Sequence, residues 1–456
     1  MNKKIALSIL FCVSLVVRLC YLFFAGGVVF GDAVNYSFVS QGLLSVGEID
    51  TFWLNGFCFF QSLFHLLPIE HTAATLLSSF IPGVFLFLPL YCIGEKLYSR
   101  SVGFVAALFF ILHPRLIEYS CNGYPETFYI LLLAFFIWAF LEKRYITAGF
   151  FLGLVISCRN EYLLFFALVC CMQKIQTSWY IAKGVCTSLV IYVLLSYALT
   201  GSPGVLQKMT VLGKSYSEQL DMRASAKEIY GEGSEPSKES FIERIGHNIG
   251  YSLKKMPLII LSPFLLFGLC AFPFILSQPL FLLLTLFVFL FYPLIQVEPR
   301  YFFAALLPLH LYAAVGWARI KTKRWPLVLL ALLLLVLTGY RARQVERQYR
   351  VHKETAAYLK EHLKEKEVVM GCGYGYCSTT LFLLNKGNLR RPFVTSKEEL
   401  LSRLEGVDWL ILYEEYIKRA DYELLEVFNT GIVGWNRSFE TKDPSGNRVQ
   451  VYSKLL

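Results

Sequence analysis

The chain has 456 residues, 56% hydrophobic, 16% aromatic and only 17% charged, with a formal net charge of +10. Soluble domains carry about 25% charged residues; this composition, with a mean hydropathy of +0.52, excludes an ordinary soluble protein and predicts a chain that crosses a membrane many times. Excess Lys and Arg in such a chain marks cytoplasmic loops and anionic headgroups. No basic run interleaved with aromatics is present, so no nucleic-acid partner is expected.

The N-terminus "MNKKIALSILFCVSLVVRLCYLFF" has the basic start of a signal peptide. Its apolar run continues past Arg18 to Phe24, long enough for a hydrocarbon core of about 30 Å, so an uncleaved first helix is expected. Residues 27–71 then form a loop of mixed polar and aromatic character, suited to short interfacial helices, opening with "GDAVNYSFVSQGLL". Apolar stretches at 5–25, 72–94, 101–118, 125–141, 146–160, 161–174, 184–200, 256–276, 279–296, 302–318 and 325–340 predict about eleven transmembrane helices. Between them, 201–255 is a second long loop around "YGEGSEPSKES".

Residues 341–456 change character and read as a small α/β domain. Helices are expected in "VERQYRVHKETAAYLKEHLKEK", "STTLFLL", "KEELLSRLEG" and "DYELLEVFN", and strands in "EVVMGCG", "VDWLILYEE" and "RVQVYSK". "GCGYGYC" after the first strand lacks the third glycine of a dinucleotide turn, where Tyr376 stands.

With the N-terminus inside, Lys3, Lys4, Lys96, Arg100, Lys143, Arg144, Lys174, Lys183, Arg319, Lys321, Lys323 and Arg324 fall on inner connections. The short outer connections carry Asp32, Glu48, Asp50, Glu118, Glu126 and Glu298. Arg341, Arg343, Arg347 and Arg350 run against this pattern but precede a whole domain, where the rule is weak. The tail is therefore expected to be extracytoplasmic. Eight of the twelve cysteines lie in or beside apolar stretches and read as small hydrophobes; no C-x-x-C occurs, and Cys372 and Cys377 are left as either a pair or free thiols. His65, His71, His113 and His310 are expected mostly as anchors at membrane edges.

Four clusters of polar residues share the outer side: Asp32 with Tyr36; "HPRLIEYSCNGYPETFYILLL" with Arg115, Glu118, Tyr119 and Glu126; "SCRNEY" with Arg159 and Glu161; and "VEPRYFFAALLP" with Arg300 and Tyr301. Ionisable groups at membrane depth are costly and mark functional sites, so the four predict one polar cavity at the outer leaflet. Simpler roles stand beside this. Glu126 also suits the positive end of the following helix, Arg159 and Glu161 read best as a mutual ion pair, and Arg300 fits either headgroup snorkelling or phosphate binding.

The block "LYCIGEKLYSRSVGFVAALFFILHPRLIEYSCNGYPETFYILLLAFFIW" resembles integral-membrane glycosyltransferases of the GT-C type, in particular the protein mannosyltransferase and aminoarabinose transferase superfamily. "GDAVNYSFVSQGLL" is similar to the family's first-loop acidic motif, "GLVISCRNEYLL" to its Arg-Pro-Glu motif and "EPRYFFAALLPLHLYAAVG" to its Arg-Tyr…Pro motif. The resemblance covers residues 1–340, and the tail looks like the extracytoplasmic α/β domain of many members. It implies inverting transfer of a hexosyl or pentosyl group from a polyprenyl-phosphate-linked donor to an acceptor (protein, glycan or lipid) on the outer face. Asp32 would be the general base. Glu126 would be a second acid that positions the acceptor or a divalent metal cation, the one candidate cofactor. Arg300 and Tyr301 would lie by the donor phosphate, with Tyr36, Arg115, Glu118, Arg159 and Glu161 as further cavity residues. Two departures stand out: Gly31 and Ala33 flank Asp32 where many members carry a second acid, and Asn160 replaces the common Pro. Short loops and the lack of a reticulum-retention signal point to a bacterial inner membrane. The rival readings are a transporter or flippase, which predicts inverted repeats that are not visible here, and a non-catalytic scaffold.

Overall fold

The structure is a computed structural model describing residues 2–27, 29, 31–44, 54–201, 278–295, 299–320, 325–364, 366–371, 376–384, 388–390, 397–414, 417, 422–444 and 446–455. The expected span 256–276, the second loop beyond Gly201 and Cys372 lie outside these residues.

Helix α1 (Lys3–Ala25) starts on Asn2, whose side chain accepts from the Lys4 amide, and stops at Gly26 in the left-handed region. The first loop holds two helices, α2 (Asp32–Gly42) and α3 (Gly56–His65). Then come α4 (His71–Phe85) and α5 (Phe87–Leu97), together one apolar stretch of 27 residues. The next predicted span is broken: α6 (Arg100–Ile111) and α7 (Pro114–Ser120) meet at 62°. Pro114 ends the α6 ladder there. The buried Arg18 guanidinium donates to the Ile111 carbonyl freed at the break and to Ser14 Oγ, at 3.5 and 2.8 Å.

Helices α8 (Glu126–Leu141), α9 (Tyr145–Cys158), α10 (Tyr162–Cys171) and α11 (Ile175–Thr200) follow. The first three are too short to be recognised as spans by length, and apolar nearly all round, as helices inside a bundle are. Glycine lets α9 and α11 meet backbone to backbone: a Cβ on Gly149 would stand 2.0 Å from the Ile181 carbonyl oxygen. Among the described residues, α1, the α4–α5 stretch, α11 and α14 are long and apolar enough to cross a membrane, making four, or five if the bent α6–α7 pair counts as one.

After α12 (Pro279–Ile295) a 3₁₀ turn (Pro299–Ala305) leads into α13 (Leu306–Ile320). Helix α14 (Trp325–His362) then runs 38 residues without interruption, from an apolar first half into the C-terminal domain. The sequence divides at 341; the helix does not. The domain contains β1 (Val368–Gly371), α15 (Tyr376–Leu384), β2 (Asn388–Arg390), α16 (Lys397–Arg403), β3 (Trp409–Tyr413), α17 (Tyr422–Thr430), β4 (Trp435–Lys442) and β5 (Arg448–Lys454). Its sheet order is β2-β1-β3-β5-β4, parallel through the first three strands and antiparallel through the last two. The buried β3 (WLILY) pairs Ile411 with Val451 at its centre.

The bundle has two charged ends. At the Lys3 end, Glu95 meets Lys3 at 2.6 Å and Arg100 at 2.9 Å, and Lys96 meets Glu142 at 3.2 Å. At the Asp32 end, Lys353 of α14 donates to the Gly26 carbonyl at 2.7 Å and α15 touches α2, so the α/β domain sits beside the first loop. His113 and His310 belong to neither edge. Both are fully buried, with ring centres 5.5 Å apart at the α6–α7 break, because the break needs polar groups inside the bundle. The expectation of edge anchors is corrected for this pair.

Candidate functional site

Asp32 opens α2, where a carboxylate faces the positive helix end, and it is half-buried. The turn before it leaves no alternative to glycine. Gly31 has φ 59°, and a Cβ there would lie 2.4 Å from the Tyr124 hydroxyl oxygen. A Cβ on Gly123 would in turn stand 3.5 Å from that of Ala33. The start of α2 is thus pressed onto the Gly123–Tyr124 turn, two residues ahead of Glu126. Val29, Ala33, Val34 and Tyr124 bury one another. Tyr119 extends the contact, with its ring 5.1 Å from that of Tyr124 and 4.9 Å from Phe303 in the 3₁₀ turn.

Three of the sequence clusters therefore meet through aromatic contacts. The side chains of Arg300 and Tyr301, on the same 3₁₀ turn, lie outside the described residues.

Glu126 is fully buried at the first position of α8, and Arg159 Nη2 donates to its Oε1 at 2.5 Å. The Arg159 guanidinium also lies 5.3 Å from the centre of the Tyr129 ring, one turn further along α8. The fourth cluster is brought in by this bond. Arg159 caps α9 and so reaches across the bundle to Glu126, a partner beyond the Glu161 that the sequence suggested for it.

Glu118 is buried and takes two arginines. Arg341 of α14 donates to it twice, at 2.9 and 3.1 Å, and Arg115 once, at 3.0 Å. Glu118 and Arg115 thus hold α14 against α7. Sequence reasoning placed Arg341 after the last span with no partner; its partner lies 223 residues away, and only the fold connects them. Tyr36 is buried with its ring edge-on to Phe57, 6.1 Å between centres, a packing position one helical turn from Asp32.

A polar strip missed in the sequence runs along α2 from there. Ser37 Oγ is 2.6 Å from Thr75 Oγ1 and 3.4 Å from His65 Nε2, and His65 Nδ1 is 3.4 Å from His71 Nδ1. Burial, and then the neighbouring His71, lower the His65 pKa to about 4. Ser37 carries no motif, so the sequence held no signal for this contact.

Among the described residues no three His, Cys, Asp or Glu side chains come together as a metal set. Glu126, the candidate cation ligand, already faces a guanidinium. The nine described cysteines that can be assessed are thiols rather than disulfides.

This architecture, a bent and broken helical bundle with a short-helix first loop and a small mixed sheet at its end, is the GT-C fold of integral-membrane glycosyltransferases. ArnT from Cupriavidus metallidurans bound to undecaprenyl phosphate superposes with a TM-score of 0.66 at 11% identity, covering 99% of this chain and 98% of that one. The mycobacterial arabinofuranosyltransferase AftD gives 0.53 at 15% identity, with this chain spanning 40% of its length. The Archaeoglobus fulgidus oligosaccharyltransferase tethered to an acceptor peptide gives 0.55 at 10% identity, over 98% of this chain and 74% of that one. No protein-family model and no curated protein sequence matches the chain.

Proposed function

We propose that this protein is a multi-pass glycosyltransferase of about eleven spans that moves a sugar from a polyprenyl-phosphate carrier to an acceptor, with inversion. The observation that carries the reading is the juxtaposition of the Asp32 turn with Tyr124, and so with the Glu126–Arg159 pair, in a fold shared with a transferase bound to undecaprenyl phosphate. The Asp32 end faces the extracytoplasmic side of a bacterial inner membrane, with the α/β domain beside it. The basic ring around Lys3 faces the cytoplasm.

In this reading the Asp32 carboxylate accepts the proton of the acceptor nucleophile as that atom attacks the anomeric carbon. The bond from that carbon to the phosphate oxygen breaks, and polyprenyl phosphate leaves with the electron pair. The leaving group is already activated, so the chain supplies a base, positive charge and a dry pocket. Arg300, with Tyr301, meets the phosphate, since a guanidinium fork pairs two oxygens at once. Glu126 orients Arg159 within the wall. A divalent cation held by Glu126 would share the carboxylate with Arg159, which occupies its Oε1.

Incubation of the purified protein with radiolabelled polyprenyl-phosphate sugars and crude acceptor tests this. Label on a new product with release of polyprenyl phosphate is the expected result. Movement of intact lipid between leaflets without bond cleavage would replace the enzyme with a flippase.

A further inference from the structure

At the Lys3 end, remote from Asp32, the turn between α8 and α9 borders a groove of about 310 Å³ lined by Lys143, Arg144, Tyr145, Ile146, Thr147 and Tyr180. Two cations thus line its wall, and Lys183 and Lys174 stand near on α11 and at its start. Among the described residues none of these four forms an ion pair, while the adjacent Glu142 is occupied by Lys96. The aromatic wall is equally specific. Lys183 Nζ lies 5.4 Å from the Trp179 ring centre and 5.7 Å from that of Tyr180. Ile146, Ile175, Trp179 and Tyr180 are exposed beside it.

Cations with no ion pair among the described residues, beside exposed aliphatic and aromatic side chains at the end of a membrane bundle, match a molecule with an anionic head and an apolar tail. We infer that this groove seats the phosphate of an anionic phospholipid, with the acyl chains running along Ile146 and the exposed face of α11. Zwitterionic lipids cancel the same phosphate with their own ammonium and bind less well. The site is independent of sugar transfer.

Lys143 sharpens the test. It is the single non-glycine residue with positive φ among the described residues, at 60°. The Arg144 amide reaching back to the Ala139 carbonyl at 2.9 Å completes a helix-ending turn in which glycine is the usual occupant. Lys143→Gly should therefore keep or raise stability while removing one of the two cations in the groove.

The experiment is native mass spectrometry of the full chain in detergent, offered phosphatidylglycerol and phosphatidylcholine with identical acyl chains. Wild type is expected to retain phosphatidylglycerol preferentially. Lys143→Gly should lower that retention about fivefold, and Lys143→Gln combined with Arg144→Gln about 25-fold. The melting temperature of Lys143→Gly in detergent with phosphatidylcholine should equal or exceed that of wild type. Equal retention of both lipids by wild type, or undiminished phosphatidylglycerol retention in a folded Lys143→Gly protein, overturns the assignment.

Discussion

The two ends of the bundle use ion pairs in opposite ways. Around Lys3 the pairs are on the surface: the side chains of Lys3, Lys96 and Arg100 are all largely exposed. Around Asp32 they are buried, with Glu126 and Glu118 almost wholly removed from solvent. Exposed pairs contribute little, typically below about 1 kcal/mol. Buried ones carry a desolvation cost of several kcal/mol per ion, and removing one partner strands the other. In the proposed reading, the chemistry is done at the end where these buried pairs gather.

That contrast can be broken at graded strength. Asp32→Asn should leave the protein inserted and folded yet lower sugar transfer by about 10²–10⁴-fold, the usual contribution of a general base; near-normal turnover would remove Asp32 from that role. Glu126→Ala should strand Arg159 and cost about 3–5 kcal/mol, read as a large drop in melting temperature in detergent, whereas Glu126→Ala with Arg159→Met should recover part of it.

A third measurement separates the α/β domain from both ends. His352 is buried there against Thr380, and burial lowers its pKa to about 4, with Asp443 opposing weakly. Its folded-state value lies below that of the unfolded chain, so the stability it contributes is complete above about pH 6.5 and is lost as pH falls from there to about 4. The loss is about 3 kcal/mol at most, at about 1.4 kcal/mol per unit. His352→Gln should flatten that part of the pH–melting curve. The smallest effect belongs to the Lys3 end: Lys96→Gln should change stability by less than about 1 kcal/mol and leave transfer unaltered. A large effect there would erase the contrast.

Much of this was legible in the sequence because hydropathy and charge report where a segment can lie. Asp32 stood out as an acid just past a span, and "YPETF" signalled a helix start with its acid in place. What escaped was carried by partners distant in sequence. Arg341 looked like a misplaced charge until Glu118 lay against it. The bond of Arg159 to Glu126, 33 residues away, likewise needed the fold to bring it about. In the domain, β2 is three residues long, and β4 (WNRSFETK) is an edge strand without the continuous apolar run that betrays β3 and β5. The single span expected at 101–118 bends where His113, Pro114 and Arg115 interrupt the apolar run, and the proline was its signal in the sequence.

Helix α14, at 38 residues, is a rod about 57 Å long. Arg341 fastens it to α7, and Lys353, about three turns on, fastens it to the end of α1. A hinge has nowhere to form between those two clasps. Since α15 and β4 pack against the same rod, the sheet and the bundle share one mechanical element.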